Sequence, residues 1–221
     1  MTVRAKICGI RSEADLRIAI EAGADAVGLI SGITHVSEDG LDAATARRLA
    51  ALVPPFVNTV LVTHLDDAAA IIELADHLGV DTIQVHGLVS AQTLRQVRAE
   101  ARGRTILRAV HVAGADAILE AKAAAADCDA VLLDSRTADR LGGTGRTHDW
   151  TISARIVTEL AALGCPVVLA GGLTADNVDA AISAVKPFGV DVNSGVEEAA
   201  GDKSKQACER FVAAAHTARH S

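Results

Sequence analysis

The 221-residue chain is poor in aromatic residues, proline and methionine, with three Phe, one Trp, no Tyr, four Pro and one Met. Aromatic stacking is therefore not its main means of recognition. It has 28 acidic against 21 basic residues and no basic run, which argues against nucleic acid or a membrane surface as a partner. No apolar run approaches the ~18 residues of a membrane span, and the N-terminus does not resemble a signal peptide. Four widely spaced cysteines are typical of reduced thiols, so we expect a cytoplasmic protein.

Short apolar, β-branched runs alternate with Ala- and Leu-rich stretches of helical periodicity from end to end. Continuous apolar runs are typical of parallel strands that are buried on both faces. Eight such units predict a single domain, residues 1–221, folded as an α/β (βα)8 TIM barrel, with a doubly wound open sheet as the alternative. The predicted strands are 3–8, 25–30, 56–62, 81–86, 105–110, 129–134, 166–170 and 189–193. The predicted helices are 12–22, 42–52, 66–78, 90–102, 113–125, 151–163, 175–185 and 203–218. We expect Ser12, Ser90, Thr151 and Thr174 to cap the helices that they begin.

Active sites of such barrels lie at the carboxyl ends of the strands, and phosphate is commonly bound by the last loops. Glycines follow the sixth, seventh and eighth predicted strands here. Glycine allows backbone N–H groups to converge on an anion, so these loops predict a phosphate site, although each glycine alone is also explained by a turn. The residues of these loops that we expect to bind the phosphate are Gly143, Gly145, Gly171, Gly172, Ser194 and Gly195.

Two titratable residues end predicted strands on opposite sides of the barrel mouth, Cys8 on the first and Asp134 on the sixth. A carboxylate that ends an apolar strand needs a ligand, a partner or water. A thiolate and a carboxylic acid on either side of a small molecule form a plausible base and acid pair. A cysteine at a strand end is also commonly a small buried apolar residue, and this alternative stays open.

Eight histidines are present, among them His64, His86, His111 and His148, but none has the HExxH spacing of metal ligands. We interpret them as hydrogen-bonded loop or core residues, and we expect no metal. The phosphate-loop pattern GxxxxGK[ST] is absent, and no GxGxxG opens a helix after the first strand. Nucleotide hydrolysis and hydride transfer therefore have no support in the sequence.

Several strand-end segments together form a specific pattern. They are KICGI (6–10), EAGADAVGL (21–29), QVHG (84–87), LLDS (132–135), GGTGRTHDW (142–150), LAGGLTADNV (169–178) and VDVNSGVE (190–197). They resemble the motifs of the phosphoribosylanthranilate isomerase family of tryptophan biosynthesis, in the family's order and over nearly the whole chain. The resemblance implies a barrel that carries out an Amadori rearrangement without metal or cofactor. It assigns Cys8 as general base and Asp134 as general acid, places Asp191 on the sugar, and places Asn193 and the glycine loops beside the 5-phosphate.

The implied reaction converts N-(5-phosphoribosyl)anthranilate into 1-(2-carboxyphenylamino)-1-deoxyribulose 5-phosphate. Asp134, kept protonated by a partly dry site, protonates the furanose ring oxygen and opens the N-glycoside to an imine. Cys8, its pKa lowered by backbone dipoles, removes the proton from C2 as a thiolate. The expected partner is thus a small phosphorylated sugar-amine, and the protein is either a monomer or a homodimer.

One segment departs from the family pattern. Where the family has SPRYVS, whose arginine anchors the anthranilate carboxylate, residues 28–40 read GLISGITHVSEDG, with Thr34 or His35 at the arginine's place. A threonine cannot supply a bidentate grip on a carboxylate. Two alternatives therefore stay open: an Amadori isomerase for a different N-phosphoribosyl amine, and a phosphosugar-binding barrel without catalysis. The candidates on the aglycone side are Arg11, His35, Gln84, His86, Arg108 and Arg136.

Overall fold

The computed structural model of the chain describes residues 2–34, 38–137, 140–141 and 148–218, with the backbone alone at 136–137 and 140–141. Eight strands with apolar sequences form the central sheet. Each lies within three residues of its predicted bounds. They are β1 (Arg4–Ile7), β2 (Ala26–Ser31), β3 (Asn58–Thr63), β4 (Thr82–Val85), β5 (Thr105–Val112), β6 (Ala130–Thr137), β7 (Val167–Leu169) and β8 (Gly189–Val192). Two short strands, Gly40–Leu41 and Arg140–Leu141, extend the loops that follow β2 and β6.

Helices follow the strands in strict alternation, as predicted. Ser12 and Ser90 cap the first and fourth helices, accepting hydrogen bonds from the backbone N–H three residues on. The expected cap at Thr151 is wrong, because Asp149 accepts from the Thr151 N–H instead. The expected cap at Thr174 is also wrong, since that helix begins three residues later. The helices are α1 (Glu13–Glu21), α2 (Ala43–Ala50), α3 (Ala68–Leu78), α4 (Ala91–Glu100), α5 (Ala117–Ala124), α6 (Trp150–Ala161), α7 (Val178–Val185) and α8 (Lys205–Thr217).

The eight strands close into a barrel. Each pairs in parallel with the next along the chain, and β1 pairs in parallel with both β2 and β8. Parallel neighbours joined by helices need right-handed crossovers, which place all eight helices outside the sheet. The predicted (βα)8 barrel is confirmed, and the open-sheet alternative is wrong. None of the helices in the part of the chain that the structure describes is both long and apolar enough to cross a membrane.

Alternate residues of each strand face two different apolar layers. The larger layer lies between strands and helices and includes Ile83, Ile106 and Leu133. Small clusters inside the barrel contain Leu107 and Leu132, which are almost completely buried. Because side chains alternate along a strand, the inward residues at the carboxyl ends are fixed by this pattern. Those residues form the floor of the candidate site.

Candidate active site

Cys8, Lys6 and Asp191 form a buried polar group at the ends of β1 and β8. Lys6 and Asp191 are register partners on the paired strands, and Lys6 Nζ lies 2.9 Å from Asp191 Oδ1. Cys8 packs against Val60 inside the barrel, so its side chain faces the barrel interior as predicted. A Cβ on Gly28 of β2 would lie 2.7 Å from Cys8 Sγ and 3.0 Å from Lys6 Nζ. Only glycine leaves room for this group.

The Cys8 thiol is protonated in this environment. Burial raises the pKa of Cys8, and the positive charge of Lys6 lowers it without fully offsetting the effect of burial. The expectation that backbone dipoles lower the thiol pKa is therefore wrong for the free protein. For Lys6, burial acts to lower the pKa, but the charges of Asp191 and Cys8 outweigh it and the pKa is raised. Lys6 is thus a buried ammonium group that faces both the carboxylate and the sulfur.

Asp134 lies on the interior side of β6, three residues before the strand ends at Thr137, and is almost completely buried. Its Oδ1 accepts a hydrogen bond of 2.7 Å from the Ser135 N–H, and its Oδ2 lies 3.4 Å from His86 Nε2. Burial acts to raise the pKa of Asp134, but the His86 hydrogen bond and the charges of His86 and His111 lower it below the usual value. The expectation that a dry site keeps Asp134 protonated is therefore wrong for the free protein. Its partners hold it as a carboxylate.

Two imidazoles, His86 and His111, stand beside this carboxylate, and His64 stands next to His86 at the end of the preceding strand. The ring centroids of His64 and His86 are 5.0 Å apart, and those of His86 and His111 are 5.2 Å apart. The Gln84 amide nitrogen lies 3.1 Å from His86 Nδ1. His111 pairs in register with Asp134 across β5 and β6. Gln84 and His86, predicted for the aglycone side, therefore lie in the group around Asp134.

His111 is the most unusual of these imidazoles. Its side chain is buried, and its ring nitrogens make no hydrogen bond of good geometry among the described residues, although the backbone of His86 lies close enough to act on its pKa. A buried polar group without a partner destabilises a fold by about 1–3 kcal/mol. Burial and the charge of His86 lower the pKa of His111 to about 4. His111 is therefore a neutral imidazole at physiological pH, with a ring nitrogen available to a ligand.

The interpretation of the histidines as ordinary core or loop residues is thus incomplete. It holds for His148, whose ring nitrogens lie 3.0 Å from Ser135 Oγ and 2.5 Å from Ser153 Oγ. It misses His86 and His111, which with Asp134 bring three possible metal-ligand atoms within 4.8 Å of one another. The sequence does carry a signal for such a group, because His64, His86 and His111 all fall at the carboxyl ends of neighbouring strands, β3, β4 and β5.

Two of the three predicted glycine loops converge with the end of β6. Gly171 has φ +85°, a conformation that favours glycine, and a Cβ there would lie 2.5 Å from the Ser135 backbone nitrogen. A Cβ on Gly195 would collide with the Leu173 carbonyl oxygen. The carboxyl-terminal part of β6 and the loops after β7 and β8 are therefore in direct contact around Gly171 and the short 3-10 helix Ser194–Val196. The predicted Gly143 and Gly145 lie outside the described residues.

Asn193 joins two loops at the mouth. Its Oδ1 accepts a hydrogen bond of 2.8 Å from Lys203 Nζ, and its Nδ2 donates one of 2.8 Å to Asp39. The Lys203 ammonium is completely buried and also lies 2.7 Å from Glu197 Oε1. The Asn193 side chain therefore connects the loops that follow β2 and β8. Lys203 was not predicted, because a lysine in a polar stretch of sequence carries no signal of burial.

The aglycone-side arginines differ in position. Arg11 lies at the mouth, with Nη2 3.2 Å from Asp202 and Nε 3.9 Å from Asp39 of the loop after β2. The prediction for Arg108 is wrong: its Nη1 donates to the carbonyl oxygens of Val85 and Gly87, and Nη2 lies 4.0 Å from Glu120 of α5. It faces the helices because side chains alternate along β5. His35 and the side chain of Arg136 lie outside the described residues.

Comparison with known proteins identifies consistent relatives. The model of the N-(5'-phosphoribosyl)anthranilate (PRA) isomerase family matches residues 5–214. An N-(5'-phosphoribosyl)anthranilate isomerase of Halorubrum lacusprofundi is 48% identical over 212 residues, which are 95% of each chain. The crystal structure of the Thermotoga maritima enzyme superposes with a TM-score of 0.84 at 32% identity and covers 96% of this chain and 98% of that one. A second structure, at TM-score 0.80 and 30% identity with the same coverage, is a complex with reduced 1-(o-carboxyphenylamino)-1-deoxyribulose 5-phosphate.

Proposed function

The chain belongs to the N-(5'-phosphoribosyl)anthranilate isomerase family, and we propose that it catalyses the Amadori rearrangement of N-(5-phosphoribosyl)anthranilate with Cys8 as base and Asp134 as acid. One observation carries this assignment. Cys8 and Asp134 are buried on the interior side of one barrel, at the ends of β1 and β6, and each has a basic side chain beside it. The product is 1-(2-carboxyphenylamino)-1-deoxyribulose 5-phosphate.

The first step opens the ribose ring. Asp134 is ionised in the free protein, so its proton must be acquired when the substrate binds. The phosphate and carboxylate of the substrate are anionic, and negative charge raises the pKa of a nearby carboxyl group. His86, at 3.4 Å, faces the carboxylate that receives this proton. Asp134 then protonates the ring oxygen as the bond from C1 to that oxygen breaks, and the nitrogen lone pair forms the protonated imine, whose positive charge the second step removes.

The second step removes the proton from C2. Cys8 must lose its own proton first, and each unit of raised pKa costs about 1.4 kcal/mol of differential stabilisation. The Lys6 ammonium offsets part of that cost because it stabilises the thiolate. The electron pair of the C2–H bond forms a C1–C2 double bond, and the imine nitrogen accepts the displaced pair. The resulting enolamine tautomerises to the 1-amino-1-deoxyketose by moving a proton from the C2 hydroxyl to C1.

The remaining groups of the substrate are assigned from the positions of the loops around Cys8 and Asp134. We assign the 5-phosphate to the loops of Gly171–Gly172 and Ser194–Gly195, and a sugar hydroxyl to Asp191. Arg11 lies at the mouth with Nε 3.9 Å from Asp39 of the loop after β2, so we assign it to the anthranilate carboxylate. The four unpaired cysteines support a cytoplasmic location. Assembly as a monomer or a homodimer stays a prediction.

Steady-state kinetics of Cys8→Ser and Asp134→Asn test the two roles. Acid and base catalysis each contribute about 10²–10⁴-fold, so kcat should fall by that factor while KM changes little. Cys165→Ser and Asp127→Asn, in the loops before β7 and β6 at the amino ends of the strands, are the matched controls and should keep the parent kcat. The assay follows the fluorescence of freshly made phosphoribosylanthranilate. A kcat retained by either site variant would contradict its assigned role.

The same assay decides the aglycone when it is repeated with a panel of other N-phosphoribosyl amines. Turnover of phosphoribosylanthranilate at the highest kcat/KM supports the proposal. Turnover of another amine alone would change the assigned substrate but retain the assignment of an Amadori rearrangement. Binding of phosphoribosylanthranilate without turnover of any panel member would leave a phosphosugar-binding barrel and overturn the enzymatic assignment.

A further inference from the structure

His86, His111 and Asp134 enclose one point at the carboxyl ends of β4, β5 and β6. The ligand atoms of all three lie within 4.8 Å of one another, and all three side chains are buried. In a tetrahedral zinc site with bonds of about 2.0–2.1 Å, neighbouring ligand atoms are about 3.3 Å apart. His86 Nε2 and Asp134 Oδ2 already stand at 3.4 Å. The pair has the spacing that a bound ion requires, and His111 supplies the third donor.

Three buried polar atoms beside this point, on two side chains, make no hydrogen bond of good geometry among the described residues. His111 offers both ring nitrogens, and Gln84 Oε1 stands behind His86. Rotation of the Gln84 amide by 180° would let Oε1 accept the Nδ1–H of His86, which leaves the Nε2 lone pair directed toward Asp134. An imidazole that binds a metal through one nitrogen commonly donates its other N–H to such a fixed acceptor. Gln84 is therefore positioned to orient His86 as a ligand.

The donor set selects the class of ion. Two imidazole nitrogens and one carboxylate oxygen suit Zn²⁺ and the neighbouring transition metals, whereas Mg²⁺ and Ca²⁺ prefer sets made entirely of oxygen. We propose that His86, His111 and Asp134 bind a zinc-class divalent ion at the barrel mouth, and that the bound ion inhibits the enzyme reversibly. The inhibition rests on the proposed acid role of Asp134, because a metal-bound carboxylate cannot deliver its proton to the substrate.

Titration of the metal-free protein with Co²⁺ alone tests the site independently of catalysis, since cobalt at a tetrahedral site absorbs strongly in the visible region. We expect one equivalent to bind and Zn²⁺ to displace it. His111→Gln should weaken binding at least about 100-fold, beyond the 10–100-fold loss typical of a residue that only supports a ligand. His77→Gln, an exposed histidine on α3, is the matched control and should retain the spectrum.

Asp134→Asn provides a second ligand variant, and thermal melting of each protein verifies that it is folded. No cobalt spectrum in the parent protein, or equal spectra in the parent and in His111→Gln, would overturn the site. Added Zn²⁺ should lower the rate of the parent and of His77→Gln, each relative to its own metal-free rate, and a chelator should restore it. A cobalt spectrum that depends on His111, without any inhibition, would keep the site and contradict the acid role of Asp134.

Discussion

Replacement of Lys6 by methionine should destabilise the barrel far more than the loss of an ordinary ion pair. The substitution keeps most of the side-chain volume and removes the charge, so Asp191 is left buried without its partner at 2.9 Å. At an effective dielectric constant of about 20, two charges at that distance attract by about 6 kcal/mol. Breaking a buried pair typically costs 3–5 kcal/mol, so we expect a loss of about 4 kcal/mol in the free energy of unfolding.

Urea denaturation of Lys6→Met, Asp191→Asn and the double variant measures this loss. For a chain of about 150–250 residues each kcal/mol moves the melting temperature by about 2–4 °C, so Lys6→Met should melt about 8–16 °C lower. The double variant should lose less than the sum of the singles, because neither charge then remains unpaired. Lys205→Met is the control: its pair with Glu21 is half exposed, and such pairs contribute at most about 1 kcal/mol.

The same variant has a second readout at the thiol. Lys6 lowers the pKa of Cys8, so its removal should raise that pKa further and slow alkylation by iodoacetamide at a fixed pH. Lys205→Met should alkylate at the parent rate. A loss of less than about 1 kcal/mol in Lys6→Met, or additive losses in the double variant, would refute the buried pair as a stabilising contact. Unchanged alkylation would refute its electrostatic influence on the sulfur.

Two further predictions concern the rim and the lower end of the barrel. Arg11→Ala should raise KM for phosphoribosylanthranilate about tenfold or more with little change in kcat, because a charged hydrogen bond of about 1.5–3 kcal/mol is lost. Arg17→Ala, on the exposed face of α1, should leave both constants unchanged. An unchanged KM in Arg11→Ala would remove Arg11 from the aglycone site. For Asp25, burial acts to raise the pKa, but hydrogen bonds from Ala5, His216 and Arg4 lower it below 3.8. The ionised Asp25 therefore contributes its full stabilisation above about pH 4, and this contribution is lost as the pH falls through the lowered pKa. Urea midpoints of the parent and of Asp25→Asn should therefore converge below about pH 4, and a gap independent of pH would contradict the linkage.

The fold could be predicted because its signals are local. Apolar runs of strand length and helical periodicity are read within a few residues, and eight such units allow few architectures. The position of each candidate side chain at a strand end follows from the same pattern. The orientation of Arg108 could also have been predicted, since it stands between Leu107 and Ala109, which face the barrel interior. The charge of Arg108 alone suggests a side chain that faces the ligand, whereas the alternation along the strand predicts one that faces the helices.

Protonation states could not be predicted in this way, because the groups that set them are distant in sequence. Lys6 and Asp191 are separated by 185 positions and meet only when the barrel closes. Asp134 depends in the same way on His86, which stands on a strand two places away in the barrel. Burial alone predicts a neutral carboxyl group and a thiol. The imidazoles overturn that expectation for Asp134, whereas Lys6 does not overturn it for Cys8.

The closed barrel also explains why the two proton-handling groups act separately. β7 and β8 lie between β6 and β1 around the shorter side of the barrel, so three strand spacings of about 4.8 Å separate them, or about 14 Å along the wall. The groups that act most strongly on the pKa of Cys8 are Lys6, Asp191 and Lys203, and Asp134 is not among them. Each of the two proton-handling groups has its own basic neighbour, His86 for Asp134 and Lys6 for Cys8. A substrate between them therefore meets two independent centres, and this independence is what separate acid and base steps require.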